Sequence, residues 1–308
     1  MIGRVSDLAS MYAQLRRLMF SIAYRMLGSV SEAEDVVQEA FLRLHTVQDP
    51  IASPEAYAAT VTTRLAIDQL RSARLRREDY VGTWLPEPLV STDKDDDPAT
   101  TVEQAFEVSM AFLVLLERLS PIERAVFVLR EVFGYSYHDI AQTVHKTEAN
   151  CRQILRRAHD RINEGRPRFE ASAARRDDLV EQFFAACSGG DLETLEHTLA
   201  EDVIFYADGG GKAAAVSSPI HGRSQVARFV LGLVRHALAR GWRVERVLVN
   251  AGPGARLVDE GGNVLAVLAL HVSNEAVQSL YNVVNPDKLR HLSRQPQSPS
   301  GEAGRSPD

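Results

Sequence analysis

The sequence predicts a multidomain chain of two all-α blocks followed by an α+β domain, and three observations predict it. Over residues 8–80, and again over about 102–166, apolar residues recur at helical spacing between capping signals. From about residue 175 the texture changes. Four apolar, β-branched runs at 243–250, 255–259, 263–272 and 276–284 are separated by short loops containing Gly or Asn. Between the helical blocks, residues 81–100 hold prolines and an acidic run, which is the chemistry of a linker. The 308 residues suffice for two or three domains at roughly 100–200 residues each.

In the first block, Leu15, Leu18, Met19, Ile22 and Met26 form one stripe of a helix that Gly28 ends. Ser31 and Glu34 give the capping-box signature of a second helix, with Val37, Ala40, Phe41 and Leu44 as its apolar face. Asp49-Pro50 interrupts the pattern. Ser53-Pro54 restarts it, with proline suited to the first helical position, and a third helix runs to about Arg77. In the second block, Ser120-Pro121 with Glu123 and Ser136 with Asp139 repeat the capping signature, and Thr147 serves as a further N-cap. Beyond 175, helices are expected at 176–188, 191–199 and about 223–240. The segment 203–208, VIFYAD, leads into a glycine run, and the four later stretches read as antiparallel strands. The expected boundaries are 1–80, a linker 81–101, 102–168, 175–290, and a disordered tail 291–308 rich in Pro, Ser and Gly.

The net charge of −6 hides a segregation of charge. Arginines cluster at 71–77 and 152–168, and acids at 93–97. The two cysteines, Cys151 and Cys187, form no CxxC or Cys/His cluster, so no metal site is expected. They suit a reducing compartment. The N-terminus lacks the apolar core of a signal peptide, and no run approaches the roughly 20 apolar residues of a membrane helix. A cytoplasmic protein with no membrane contact and no cofactor is expected.

The stretch 134–162 is the most informative. A short helix at 136–144, the turn His145-Lys146-Thr147 and a longer helix have the spacing of a helix-turn-helix. Ile140, Ala141 and Val144 then pack against Cys151, Ile154, Leu155 and Ala158. Glu148, Asn150, Arg152, Gln153, Arg156 and Arg157 are left on the outer face. Arg pairs with guanine, Asn or Gln with adenine, and Arg also neutralises phosphate. The bland alternative is a surface helix with solvated arginines. At its inward position, Cys151 reads as a small core residue. The third helix adds Tyr57, Thr60, Thr62, Thr63, Arg64, Asp68, Arg71, Arg74, Arg76 and Arg77, a mixture able to track a single strand and its phosphates, or simply a solvated basic face.

Together the two blocks resemble the extracytoplasmic-function sigma factors over about residues 8–165. Asp35-Val36-Val37-Gln38-Glu39-Ala40-Phe41-Leu42-Arg43-Leu44 resembles the family's polymerase-binding helix. Ile67-Asp68-Gln69-Leu70-Arg71 resembles its −10 reader, and Leu119-Ser120-Pro121-Ile122-Glu123-Arg124 with the helix-turn-helix resembles region four. The resemblance implies core RNA polymerase as partner, through its β′ coiled coil and β flap, together with promoter DNA. It implies Asp35, Gln38, Glu39, Phe41 and Leu42 on polymerase. It implies Arg64, Asp68, Arg71, Arg74 and Arg77 on the −10 element, and the outer face of the helix-turn-helix on the −35 element. The loop Thr46–Ser53 sits where the family captures a flipped base. The chain departs from the family twice, with Arg64 where Asn is frequent and Val144-His145 where Leu-Gly is frequent.

The part beyond residue 170 resembles the SnoaL-like, NTF2-like cone fold. Three short sequences look like those of one sigma subgroup with this extension: Trp84-Leu85-Pro86-Glu87-Pro88, Asp208-Gly209-Gly210-Gly211-Lys212 and Asn285-Pro286-Asp287-Lys288-Leu289. The resemblance implies that the fused domain tunes sigma activity without a dedicated anti-sigma factor. Trp84, Pro86, Asp208, Gly210, Lys212, Asn285, Pro286, Asp287 and Lys288 are then interdomain residues, with the Trp84 linker docking near the two later loops. The fold leaves room for a small ligand of unknown kind. Asp202, Tyr206, Asp208 and His221 are candidates for acid–base work. Two other readings stay open: a ligand-responsive helix-turn-helix regulator without sigma activity, and a SnoaL-like enzyme fused to a DNA-binding module.

Overall fold

A computed structural model describes residues 3–47, 53–91, 108–163, 173–273 and 276–292. The first block is three helices, α1 (Gly3–Leu27), α2 (Val30–Thr46) and α3 (Pro54–Glu78). Leu15, Met19, Ile22 and Met26 are buried, so the predicted stripe is the core face. Gly28 ends α1 at φ +68°, a conformation that costs an L side chain about 1–2 kcal/mol. The start of α2 differs from expectation. Ser29, not Ser31, is the cap, and its hydroxyl accepts from the Glu32 amide at 3.2 Å. The reason lies 58 residues away in sequence: the Glu87 carboxylate takes the Ser29 hydroxyl. It also accepts from the amides of Val30 at 2.7 Å and Ser31 at 3.2 Å, satisfying donors that a helix start leaves free.

The second block contains α4 (Met110–Leu116), α5 (Pro121–Phe127), a π turn over Val128–Val132, α6 (Tyr137–Val144) and α7 (Glu148–Asn163). Both arms of the Ser120/Glu123 capping box are present. Ser136 and Thr147 also cap as the sequence predicts. The two blocks share one core in which Ile22, Met26 and Leu70 meet Leu113, Val126 and Val128. Arg124, fully buried, donates from Nε to the Arg25 carbonyl at 2.8 Å and pairs with Glu117.

The third unit has helices α8 (Ala173–Gly189), α9 (Leu192–Thr198) and α10 (Arg223–Leu238), with the short α11 (Pro286–Leu289) at its end. Its strands are β1 (Val90–Ser91), β2 (Leu199–Asp208), β3 (Ile220–His221), β4 (Arg243–Val249), β5 (Gly252–Val258), β6 (Val264–Ser273) and β7 (Ala276–Val283). They form one sheet in the order β1-β4-β5-β6-β7-β2-β3. The four later strands are antiparallel as the sequence reads, while one boundary needs correction and one pairing lies beyond that reading. First, β5 begins at Gly252, because the tight turn is Asn250-Ala251, both at positive φ, and the Gly-Pro-Gly that follows is already strand. Second, β2 pairs with β7 in parallel. No hairpin joins them, since α10 and four strands intervene, so connection length does not force an antiparallel pair.

Strand alternation gives the sheet two apolar faces. Phe183, Leu195, Val226 and Val230 from the helices meet Phe205, Leu270 and Leu280 on one. On the other, Val247, Val249, Val267, Ala269 and Tyr281 pack against Leu85 of the linker and Met110 and Ala111 of α4. Burying a side chain such as Leu85 completely contributes about 1.5–3 kcal/mol. The sheet thus uses the helical blocks as its second covering layer. The tail from residue 293 and the acidic run 93–97 lie outside the described residues.

Candidate nucleic-acid interface and interdomain clamp

The helix-turn-helix is built as its spacing predicts. Ile140, Ala141, Val144, Cys151, Ile154, Leu155 and Ala158 are all buried, and burial pushes the Cys151 thiol up, away from thiolate chemistry. His145 takes the left-handed conformation, φ 53°, at the end of α6, where glycine would sit without strain. Asn150, Arg152, Gln153, Arg156 and Arg157 are exposed on α7, with Glu148 half-exposed. Glu148 pairs with Arg152 at 3.0 Å, and the Arg152 guanidinium stands 4.7 Å from the Tyr137 ring centroid. The side chains of Arg156 and Arg157 make no hydrogen bond or ion pair among the described residues.

The basic residues of α3 are divided. Asp68 and Arg71 are exposed and paired at 3.1 Å. The side chains of Arg74 and Arg77 lie outside the described residues, as does most of the Thr46–Ser53 loop. Arg64 is turned onto the second block. Its Nε donates to the Thr143 carbonyl at 3.0 Å and its Nη2 to the Gln142 carbonyl at 2.9 Å. These are last-turn carbonyls of α6, the negative end of that helix. Beside them the Thr60 and Thr143 hydroxyls meet at 3.1 Å.

On α2, Asp35, Gln38, Glu39 and Leu42 share one exposed face. Phe41 does not join it. It is buried and stacks on Tyr12 at 4.2 Å between ring centroids.

The linker motif docks against both later loops. Asp208, fully buried at the end of β2, is the centre of the contact. Its carboxylate accepts from the Tyr80 hydroxyl at 2.6 Å, the Leu85 amide at 2.8 Å and the Lys288 ammonium at 2.7 Å. Lys288 also donates to the Leu85 carbonyl and lies 4.1 Å from the Trp84 ring centroid, a cation–π contact. Asn285 caps α11 and donates to the Tyr80 hydroxyl at 2.9 Å. Gly210 is required here, since a Cβ on it would stand 2.2 Å from Asn285 Nδ2. Lys212 pairs with Asp287 on the surface and holds that carboxyl below its usual range. Pro86 is buried beside Gly28, on which a Cβ would stand 2.8 Å from the Trp84 ring.

Sequence reasoning missed a second clamp. Asn250, buried in the β4–β5 turn, donates to the Tyr24 hydroxyl of α1 at 2.7 Å. It also brackets Leu89, its Oδ1 accepting the Leu89 amide at 3.2 Å and its own amide donating to the Leu89 carbonyl at 2.8 Å. Tyr24 donates to the Glu87 carbonyl at 2.6 Å. The linker then continues as β1, pairing Val90 with Val249, so it adds a strand to the edge of the sheet. The Asn-Ala-Gly composition of 250–252 signals a turn, but not a partner 226 residues away in sequence.

The acid–base candidates do not converge. Asp202 and His221 are exposed. Tyr206 stacks on Tyr281 at 5.4 Å, and Asp208 belongs to the clamp. Among the described residues no group of three His, Cys, Asp or Glu could hold a metal ion.

Family models match in the same three parts: Sigma-70 region 2 over residues 11–76, Sigma-70 region 4 over 109–162, and a SnoaL-like domain over 180–276. The chain is 37% identical to the ECF RNA polymerase sigma factor SigJ of Mycobacterium tuberculosis, across 91% of this chain and 92% of that one. This chain belongs to the extracytoplasmic-function sigma factors. The sigma factor is also 33% identical to the probable ECF sigma factor SigI of M. tuberculosis over 90% of its length and 93% of the relative. Its structure is similar to the crystal structure of SigJ, with a TM-score of 0.75, 34% identity and coverage of 92% and 98% of the two chains. As a sigma factor it directs RNA polymerase to promoters, and a SnoaL-like domain is fused to its two sigma regions.

Proposed function

We propose that this sigma factor is held in a closed, promoter-refractory state by its C-terminal domain, which replaces a dedicated anti-sigma factor and acts without catalysis. The observation that carries the reading is Arg64 bonded to the carbonyls of Gln142 and Thr143. Thr143 is five residues before the recognition helix α7, and five residues span at most about 18 Å. The −35 and −10 elements are about 25 base pairs apart, or roughly 85 Å at 3.4 Å per base pair. Regions 2 and 4 cannot reach both elements while Arg64 holds α6. Opening therefore precedes promoter recognition, and the clamps at Asp208 and Asn250 set its cost.

In the open state, Arg64, Asp68, Arg71, Arg74 and Arg77 engage the −10 element. The face of Glu148, Asn150, Arg152, Gln153, Arg156 and Arg157 engages the −35 element in the major groove. Asp35, Gln38, Glu39 and Leu42 present the surface for the polymerase β′ coiled coil, with Phe41 supporting it from within, and region 4 meets the β flap. The protein works in the cytoplasm, beside polymerase and DNA. Among the described residues no helix is long and apolar enough to cross a membrane.

Run-off transcription with purified core polymerase and a genomic promoter library tests this. Trp84→Ala is expected to raise promoter-specific transcript, and Arg156→Ala/Arg157→Ala to abolish it. Transcript that is insensitive to both changes would defeat the reading.

A further inference from the structure

From Arg223 to Val244 the chain carries five arginines, no lysine, and no Asp or Glu, although its net charge is −6. Val226, Ala227, Val230 and Leu231 are buried on the inner side of α10. Arg228, Gly232, Arg235 and Ala239 therefore face outward, and all four are exposed. Their spacing of four, three and four residues makes one stripe. The side chains of Arg228 and Arg235 make no hydrogen bond or ion pair among the described residues. The stripe lies on the side of the sheet that α8, α9 and α10 cover, opposite Leu85 and Met110, so the described residues of the sigma regions leave it uncovered.

The chemistry of the stripe is selective. Two turns separate Arg228 from Arg235, about 10 Å along the axis, against a major groove about 12 Å wide. Gly232 and Ala239 beside them keep the helix surface low, so a bulky polyanion can approach. The guanidinium fork matches phosphate oxygens in pairs. We propose that the outer face of α10 is a third DNA contact, binding the phosphate backbone of duplex promoter DNA outside the elements read by regions 2 and 4, without base specificity. The contact is available in the closed and open states alike, and it keeps the factor on DNA while regions 2 and 4 separate.

The test uses the full-length protein and a linear duplex lacking a promoter, titrated at several salt concentrations. Each phosphate contact contributes about 0.9 to the slope of log K against log salt. Arg228→Gln/Arg235→Gln is expected to reduce that slope by about 1.8, twice the single-contact value, and Arg228→Lys/Arg235→Lys to retain it. An unchanged slope in the Gln pair overturns the proposal. A photocrosslinker at the exposed Gln225, in the polymerase–promoter complex, is expected to label duplex DNA and needs no charge substitution. Labelling of polymerase alone, or of nothing, overturns it. So does capture by phosphatidylserine vesicles that the Gln pair abolishes while DNA binding stays intact, since the face would then be a lipid surface.

Discussion

Lys288 and Asp208 form an ion pair at 2.7 Å with only 8% and 0% of their side chains exposed; the pair ties α11 to the end of β2, and both partners bond Leu85 of the linker between the sigma regions. A charge left alone in such a site is expensive, and breaking a buried pair typically costs about 3–5 kcal/mol. Asp208→Ala removes the carboxylate that accepts from three donors at once: the Lys288 ammonium, the Leu85 amide and the Tyr80 hydroxyl. A loss of about 3–5 kcal/mol in urea-induced unfolding is expected, partly restored in Asp208→Ala/Lys288→Met. A single-variant loss near the 0–1 kcal/mol of a surface pair would remove the pair from the account.

Gly210 isolates the clamp from the rest of the domain. It sits at φ 56°, and a Cβ would overlap Asn285 Nδ2. Gly210→Ala must push Asn285 off Tyr80 without touching either DNA-reading face. Small-angle scattering is expected to show a larger radius of gyration than wild type, with more transcript at a cognate promoter. A variant as compact as wild type would mean that the loop is not a hinge point of the closed state.

Asn250→Ala tests the second clamp. The substitution leaves the Leu89 amide without its side-chain acceptor and the Tyr24 hydroxyl without its donor. A buried hydrogen-bonding group left unsatisfied costs about 1–3 kcal/mol. The expected outcome is faster amide exchange at Leu89 and in α1 around Tyr24, with the Asp208 clamp still protected. Coupled loss of protection at both sites would show one cooperative contact instead of two.

The difference in legibility between the two clamps is physical. Helices, caps and the inward face of α7 were readable because local periodicity and capping chemistry fix them. The linker's docking was readable because Trp84, Leu85 and three short motifs carry unusual residue types. Asn250 and Tyr24, and the role of Glu87 within its motif, were not readable, because their meaning comes from partners 58 to 226 residues away. Phe41 was readable as part of the apolar face of α2, and it is buried there; the Tyr12 ring that stacks on it, from another helix, was not. The parallel pairing of β2 with β7, and the strand contributed by the linker, likewise depend on long-range order that no window of sequence contains.

In the proposed mechanism Arg64 carries two opposed roles, and their separation is measurable. Arg64→Ala removes both bonds to the α6 carbonyls, which favours opening, and one cation from the −10 face. On a duplex promoter, where opening limits the rate, a gain in transcript is expected. On a promoter already melted over the −10 region, where phosphate contacts dominate, a loss is expected, steeper at high salt. Equal changes on the two templates would refute the dual assignment.

The clamps should also release at alkaline pH. Tyr80 and Tyr24 both titrate above the ordinary tyrosine value of 10.0. Burial is the main cause for each, with the hydrogen bond to Asp208 adding for Tyr80 and the charge of Glu87 for Tyr24. A folded-state pKa above the unfolded value means that the unfolded chain gives up its proton first. Between the two values the native state binds more protons than the unfolded state, so stability falls as pH rises. The contribution is complete below pH 10 and is lost as pH climbs from there through the folded values. Urea midpoints measured from pH 9 to 11 are expected to fall more steeply for wild type than for Tyr80→Phe or Tyr24→Phe, although each variant starts lower for want of its hydroxyl. Wild-type and variant curves that ran parallel would mean that neither hydroxyl holds its proton in the clamp.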